Sequence, residues 1–176
     1  MRTLSQILLA CCAAIILTGC AADGPDMKTV DYVDLERFMG PWYVIGNIPT
    51  FLEKEVYNGV ETYTLNDDGT IATKFTFRKG AFDGKPREYN PKAFVREDPS
   101  NALWGMQFVW PIKADYRIVY LDDDYTQTVI GRQARDFVWI MARTPTISDS
   151  DYDSLVEFVE SLGYDITQLQ RAPQRW

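Results

Sequence analysis

The chain contains no histidine, and its three cysteines, Cys11, Cys12 and Cys20, all lie near its start. The missing imidazole argues against histidine-ligated haem or zinc, a His-assisted nucleophile and a histidine pH switch. A formal charge of -7 with no basic patch to offset it disfavours nucleic acid as a partner. No apolar run reaches the about 20 residues of a comfortable bilayer span. Ile7 to Leu17 comes nearest. It sits behind Arg2 and ends in small residues, the layout of a secretory signal.

That run ends in "LTGC", Leu17 to Cys20. The stretch resembles a bacterial lipobox, which implies cleavage before Cys20 and acylation of its thiol. Ala21 and Ala22 behind it imply export to the Gram-negative outer membrane. The plain alternative is an ordinary signal peptide in which Cys20 is incidental. Acyl chains anchor without spanning: each buried methylene contributes about 0.8 kcal/mol, and several chains together hold firmly. The expected organisation is a signal over residues 1–19, an acylated tether over 20–30 and one folded domain over 31–176. With its thiols removed or modified, that domain holds itself without a disulfide, although the compartment would be oxidising.

The folded part is rich in short β-type runs. "WYVIGNI", "GVETYTL", "TIATKFTF", "PKAFVRE", "LWGMQFVW", "YRIVYLD", "TQTVIGRQ" and "FVWIMAR" are separated by "NDDGT", "KGAFDGKP", "EDPSNA" and "DDDYT", all good turn chemistry. Even spacing with no helical pattern between the runs predicts an antiparallel meander. Eight such strands can close into a barrel with room for one small ligand.

Alternation assigns the faces. Trp104, Met106, Phe108 and Trp110 share one side, as do Phe75 with Phe77, and Tyr116 with Ile118 and Tyr120. Such stripes fit a solid core or a lined chamber equally well, and alternation alone does not choose. "FVWIMA" is apolar on both faces, so its outer side needs a cover. "SDSDYDSLVEFVESLG" supplies it: Ser148 is the expected N-cap, Asp151 takes the capping-box position, and Tyr152, Leu155, Val156, Val159 and Leu162 form one stripe before Gly163. "YVDLERFMG" reads as a short N-terminal helix or turn, and "YDITQLQRAPQRW" as one short strand with a loose tail.

Gly40-x-Trp42, the Asp124-Tyr125 turn and Arg143 at the end of the last strand stand in the order found in lipocalins. "DFVWIMARTPTISD", Asp136 to Asp149, resembles the bacterial outer-membrane lipoprotein branch over its whole length. The resemblance implies an eight-stranded up-and-down lipocalin barrel with the terminal helix packed outside. It also implies that Trp42 closes one end beneath Arg143, a cation–π contact of roughly 0.5–2 kcal/mol, with the Phe38 helix below. "PTFLEKEVYN", with Phe51 and Leu52, would then lie across the open end. Two departures stand out. Asp123 replaces the family's threonine, and three acids in that turn read as solvated rather than as a calcium site. Val44 stands where many relatives carry glutamate, so the lumen should be less polar there. Glu61 and Tyr63 alternate towards the same side, and an inward Glu61 would need a partner such as Lys92 or a ligand headgroup.

The function so implied is lipid binding, storage or transport: a fatty acid or lysophospholipid held in the barrel at the membrane. The expected lining is Phe75, Phe77, Met106, Phe108, Ile118, Tyr120 and Trp139. Neither a cofactor nor a metal site is expected, and a homodimer stays open. Two alternatives remain: a lipocalin-fold isomerase or epoxide-type enzyme using Glu61 with Tyr63 as acid and base, and an envelope scaffold whose barrel is filled.

Overall fold

The computed structural model describes residues 25–51 and 53–176; the expected signal, Cys20 and Leu52 fall outside the described residues. After helix α1 (Leu35–Phe38) come strands β1 (Gly40–Ile48), β2 (Val56–Leu65), β3 (Thr70–Lys79), β4 (Lys85–Tyr89), β5 (Lys92–Val95), β6 (Leu103–Val109), β7 (Ile112–Leu121), β8 (Gln127–Gly131) and β9 (Val138–Ala142). Helix α2 (Asp149–Ser161) and β10 (Gln170–Arg171) complete the chain. All eight runs read from the sequence form strands. Each pairs antiparallel with its neighbour, and β9 closes onto β1 through Tyr43 opposite Ala142 and Val44 opposite Met141.

The additional strand is β4. It pairs with β3 alone, in the register that β5 continues: Phe75 faces Tyr89 and Ala72 faces Lys92. β4 and β5 are thus one strand interrupted at Asn90–Pro91. Pro91 has no N–H to donate, and its carbonyl accepts from Thr73 N at 3.0 Å. Counted this way the wall has eight strands. β4 escaped the sequence reading because "KPREY" is exposed on nearly every side and shows no alternation. Among the described residues β4 pairs with no second strand, so the barrel closes on this side through β5 against β6.

Helix α2 starts where its cap predicts. Ser148 Oγ accepts from Asp151 N at 3.0 Å, and Gly163 at φ +89° ends the helix in a conformation that suits glycine. Tyr152, Leu155 and Val159 cover Ile45, Val129, Val138, Ile140 and Ala142 on the outside of the barrel. Burial of this kind contributes on the order of 1.5–3 kcal/mol per large side chain. The tail is not loose, as expected from sequence, but pinned. Ala172 N donates to Ile45 O at 2.9 Å, and Gln174 Nε2 donates to Val44 O and Gly59 O at 2.8 and 2.9 Å. Among the described residues no helix is long and apolar enough to cross a membrane.

Candidate functional site

The inner faces divide the barrel into a packed base and a hollow upper half. At the base, Trp42 lies 5.0 Å from the Phe38 ring, Phe38 meets Trp104 edge-on at 5.4 Å, and Trp104 stacks on Tyr116 at 5.2 Å. Trp42 and Trp104 are fully buried. Arg143 lies 3.8 Å above the Trp42 ring, as the resemblance implied. It also ties the bottom together by donating to the carbonyls of Arg37, Phe38, Pro41 and Tyr125. The acidic turn belongs to the same closure: Tyr125 Oη accepts from Asp34 N at 2.9 Å, and Arg37 covers the Tyr125 ring. Asp122 accepts from the backbone of Thr126 and Gln127, both at 2.7 Å.

Above this base lies a cavity of about 480 Å³, lined overwhelmingly by apolar side chains. Phe75, Met106, Phe108 and Trp139 line it, with Ala114, Tyr89 and Phe137. Thr50, Phe51 and Glu53 from the segment after β1 reach over it. Trp139 Nε1 donates to Glu53 Oε1 at 2.7 Å and Thr50 N to Glu53 Oε2 at 2.9 Å, which fastens the segment to the wall. Burial pushes the Glu53 pKa up, against these donors.

Three of the expected lining residues lie elsewhere. Tyr120 does not share the inner face with Tyr116 and Ile118. The pairing of β7 with β8 slips between Ile118, opposite Ile130, and Tyr120, opposite Val129, and this bulge turns Tyr120 outward onto Phe158 of α2 at 5.5 Å. Ile118 does point inward but is fully buried in the packed base. Phe77 is buried behind the lining, stacked on Phe75 at 5.1 Å and next to Tyr89.

Glu61 faces the cavity, at its deep end. Its partner is not Lys92, which alternates outward opposite Ala93 and pairs loosely with Asp68 at 3.9 Å. Tyr63 Oη donates to Glu61 Oε2 instead, and Tyr63 and Tyr116 hydroxyls are 2.6 Å apart. Tyr63 has one proton to give, so Tyr116 is the donor in the second bond. Desolvation, opposed by the Tyr63 hydrogen bond and assisted by the Glu53 charge, raises the Glu61 pKa to about 7. Burial and the Glu61 charge push both tyrosines well above their ordinary value. Thr73 also lines this end; alternation with Phe75 and Phe77 signals its inward side chain, which the sequence reading passed over.

A closed eight-stranded antiparallel barrel, sealed at one end and hollow at the other, defines a calyx. The chain belongs to the lipocalin family: the model of the lipocalin-like domain matches residues 33–174. It is 33% identical to temperature-induced lipocalin-1 of Arabidopsis thaliana, covering 85% of this chain and 83% of that one. It is 29% identical to outer membrane lipoprotein Blc of Citrobacter freundii over 96% of both chains. The fold superposes on insecticyanin from the tobacco hornworm with a TM-score of 0.66 at 15% identity, covering 84% of each chain.

Proposed function

We propose that this protein is an acyl-anchored lipid carrier of the outer membrane, holding one fatty acid or lysophospholipid chain in the upper half of its barrel. The hollow, apolar chamber of about 480 Å³ carries this reading, since it falls in the range of small-ligand sites. Apolar burial at about 25 cal/mol per Å² supplies the affinity, so binding falls as chains shorten and responds little to salt. The outer membrane lipoprotein relatives and the "LTGC" stretch support acylation at Cys20 and that location. The enzyme alternative is weaker. Tyr63 is held by hydrogen bonds to Glu61 and Tyr116 on both sides of its hydroxyl, so it buttresses Glu61 and is not free to face a substrate.

Ala114→Trp tests the chamber directly, because the indole would fill existing space instead of displacing packed atoms. Affinity for a fluorescent fatty acid should fall more than about tenfold while the thermal midpoint holds. Undiminished binding would refute the chamber as the ligand site.

The rim fits delivery at a bilayer. Phe51, Phe108, Val109, Trp110 and Ile112 are all exposed around the opening, Trp110 at 82%. Lys54, Lys79, Lys85 and Lys113 are exposed at this end against Glu55, which pairs with Lys79 at 3.4 Å, and Asp83, whereas Asp67, Asp68, Glu97, Asp123 and Asp124 mark the other. An anionic lipid surface would attract the first and repel the second. Trp110→Ser with Ile112→Ser should slow ligand transfer from anionic vesicles severalfold in stopped-flow fluorescence, with equilibrium affinity for dispersed fatty acid retained. Equal transfer rates would exclude the rim from membrane contact.

A further inference from the structure

Residues 25–34 lead from the expected lipid anchor to the barrel, and they lie docked along its outer wall. Pro25 O accepts from Arg135 Nη2 at 2.8 Å and from Gln133 Nε2 at 3.3 Å, and Met27 N donates to Gln133 Oε1 at 2.9 Å. Arg117 holds the same stretch, donating to Met27 O at 2.8 Å and pairing with Asp26 at 3.2 Å. Met27 is 2% exposed and sits over Gly131, where a Cβ would come within 2.9 Å of its sulfur. Further along, Val30 N donates to Ile118 O at 3.0 Å, Val33 N to Ser100 O at 2.7 Å and Asp34 N to Tyr125 Oη at 2.9 Å. A segment with these partners and a side chain seated in the core is a strap rather than a linker.

Its direction sets the geometry of anchoring. Gln133 and Arg135 belong to the loop between β8 and β9. That loop adjoins the mouth, because Val138 at the start of β9 stands opposite Ile48 at the end of β1, just before the segment that covers the chamber. Arg132 and Phe137 of the same loop line the chamber. Asp34 instead meets Tyr125 at the sealed base. The strap therefore enters at the mouth and runs down to the closed end. Between Cys20 and Pro25 the chain takes five Cα–Cα steps, a reach of at most about 18 Å. β3 has ten residues; at about 3.3 Å each and a tilt of about 40°, it sets the two ends of the barrel about 25 Å apart. Acyl chains on Cys20 would hold that residue at the lipid surface. The leash lets the mouth meet this surface and is too short to pass down the barrel and set the sealed end on it. A chain free as far as Asp34 would reach about 50 Å and serve either end. We infer that residues 25–34 are a strap that holds the open end of the barrel towards the bilayer bearing the Cys20 acyl chains. The lipid surface met by the apolar rim is then the anchoring leaflet itself.

This inference rests on the acyl-anchored reading, and one experiment separates the two. Once the signal is removed and Cys20 acylated, no free thiol remains, so Asp83→Cys at the mouth or Asp67→Cys at the base places a single fluorescent label on an exposed turn. The acylated protein is reconstituted in vesicles of phosphatidylethanolamine and phosphatidylglycerol that carry an acceptor dye on a lipid headgroup. Energy transfer should be severalfold more efficient from the mouth label than from the base label. The same ordering should hold in the Trp110→Ser, Ile112→Ser rim variant, because the strap sets it without help from apolar adhesion. Inserting about 20 Gly-Ser residues between Ala22 and Asp23, with a root-mean-square reach of about 25 Å, should erase the ordering in that rim variant and leave the folded domain untouched. Equal transfer from both labels in the wild type overturns the inference while the anchor stands. So does loss of the ordering in the rim variant on its native leash, or its survival on the long one. If mass spectrometry finds no acyl chain on Cys20, both readings fail.

Discussion

Arg143→Ala should destabilise the protein by about 3–4 kcal/mol. The guanidinium lies on the Trp42 ring at 3.8 Å and donates to Pro41 O at 2.9 Å, Arg37 O at 2.8 Å, Phe38 O at 3.0 Å and Tyr125 O at 3.3 Å. It therefore joins α1, β1 and the β7–β8 turn at the point where the barrel is sealed. Alanine leaves those carbonyls short of a donor and uncovers one edge of Trp42. The figure is smaller than the sum of the separate bonds because half-exposed carbonyls turn to water. For a domain of this size the thermal midpoint should drop by roughly 10 °C. Arg143→Lys should recover less than half of the loss, since an ammonium lacks the planar fork that reaches several carbonyls at once. Fatty-acid affinity of the folded fraction should not change, because Arg143 lies below the packed base and away from the cavity. A midpoint within two degrees or so of the wild type would show that aromatic packing alone seals the end.

The second large effect depends on pH. Glu61 titrates at about 7 in the folded protein against 4.5 for an ordinary glutamate. At low pH the group is protonated in both states and contributes nothing to the difference. Through the window between 4.5 and about 7 the unfolded chain ionises first and binds fewer protons, so stability falls as pH rises. Above about 7 both states are ionised and the cost is complete, on the order of 3 kcal/mol. Glu61→Gln removes the ionisation and still accepts from Tyr63. Urea titrations of both proteins should therefore show the variant gaining about 3 kcal/mol on the wild type between acid and mildly alkaline pH. Referring each value to the same protein pair cancels the other carboxylates except Glu53, whose charge is coupled to Glu61 and stays in the difference. A pH-independent difference would mean that Glu61 ionises normally, with water reaching it through the chamber.

These two sites differ in how far the amino-acid order revealed them. Trp42 and Arg143 were legible because a Gly-x-Trp opening and a strand-ending arginine form a pattern independent of local register. The strands themselves were legible from period-two alternation between turn residues, and α2 from Ser148, its apolar stripe and Gly163. Glu61 was legible as an inward side chain, but its partner was not. Tyr63 sits two residues away on the same strand, and Tyr116 comes from β7, across the lumen. Only the closed wall brings the second hydroxyl within 2.6 Å.

What the sequence by itself determined is which side chains alternate together, because successive residues of an extended chain point to opposite faces whatever surrounds them. The tertiary structure alone decided where that alternation breaks and how much space the inner faces leave. The slip between Ile118 and Tyr120 turns one expected lining residue out to α2, and a bulge depends on the partner strand as much as on its own. Likewise, Phe75 and Ile118 carry the same inward signature, yet one borders open space and the other is packed solid. Alternation is a property of one strand, its breaks belong to two, and volume belongs to all eight at once.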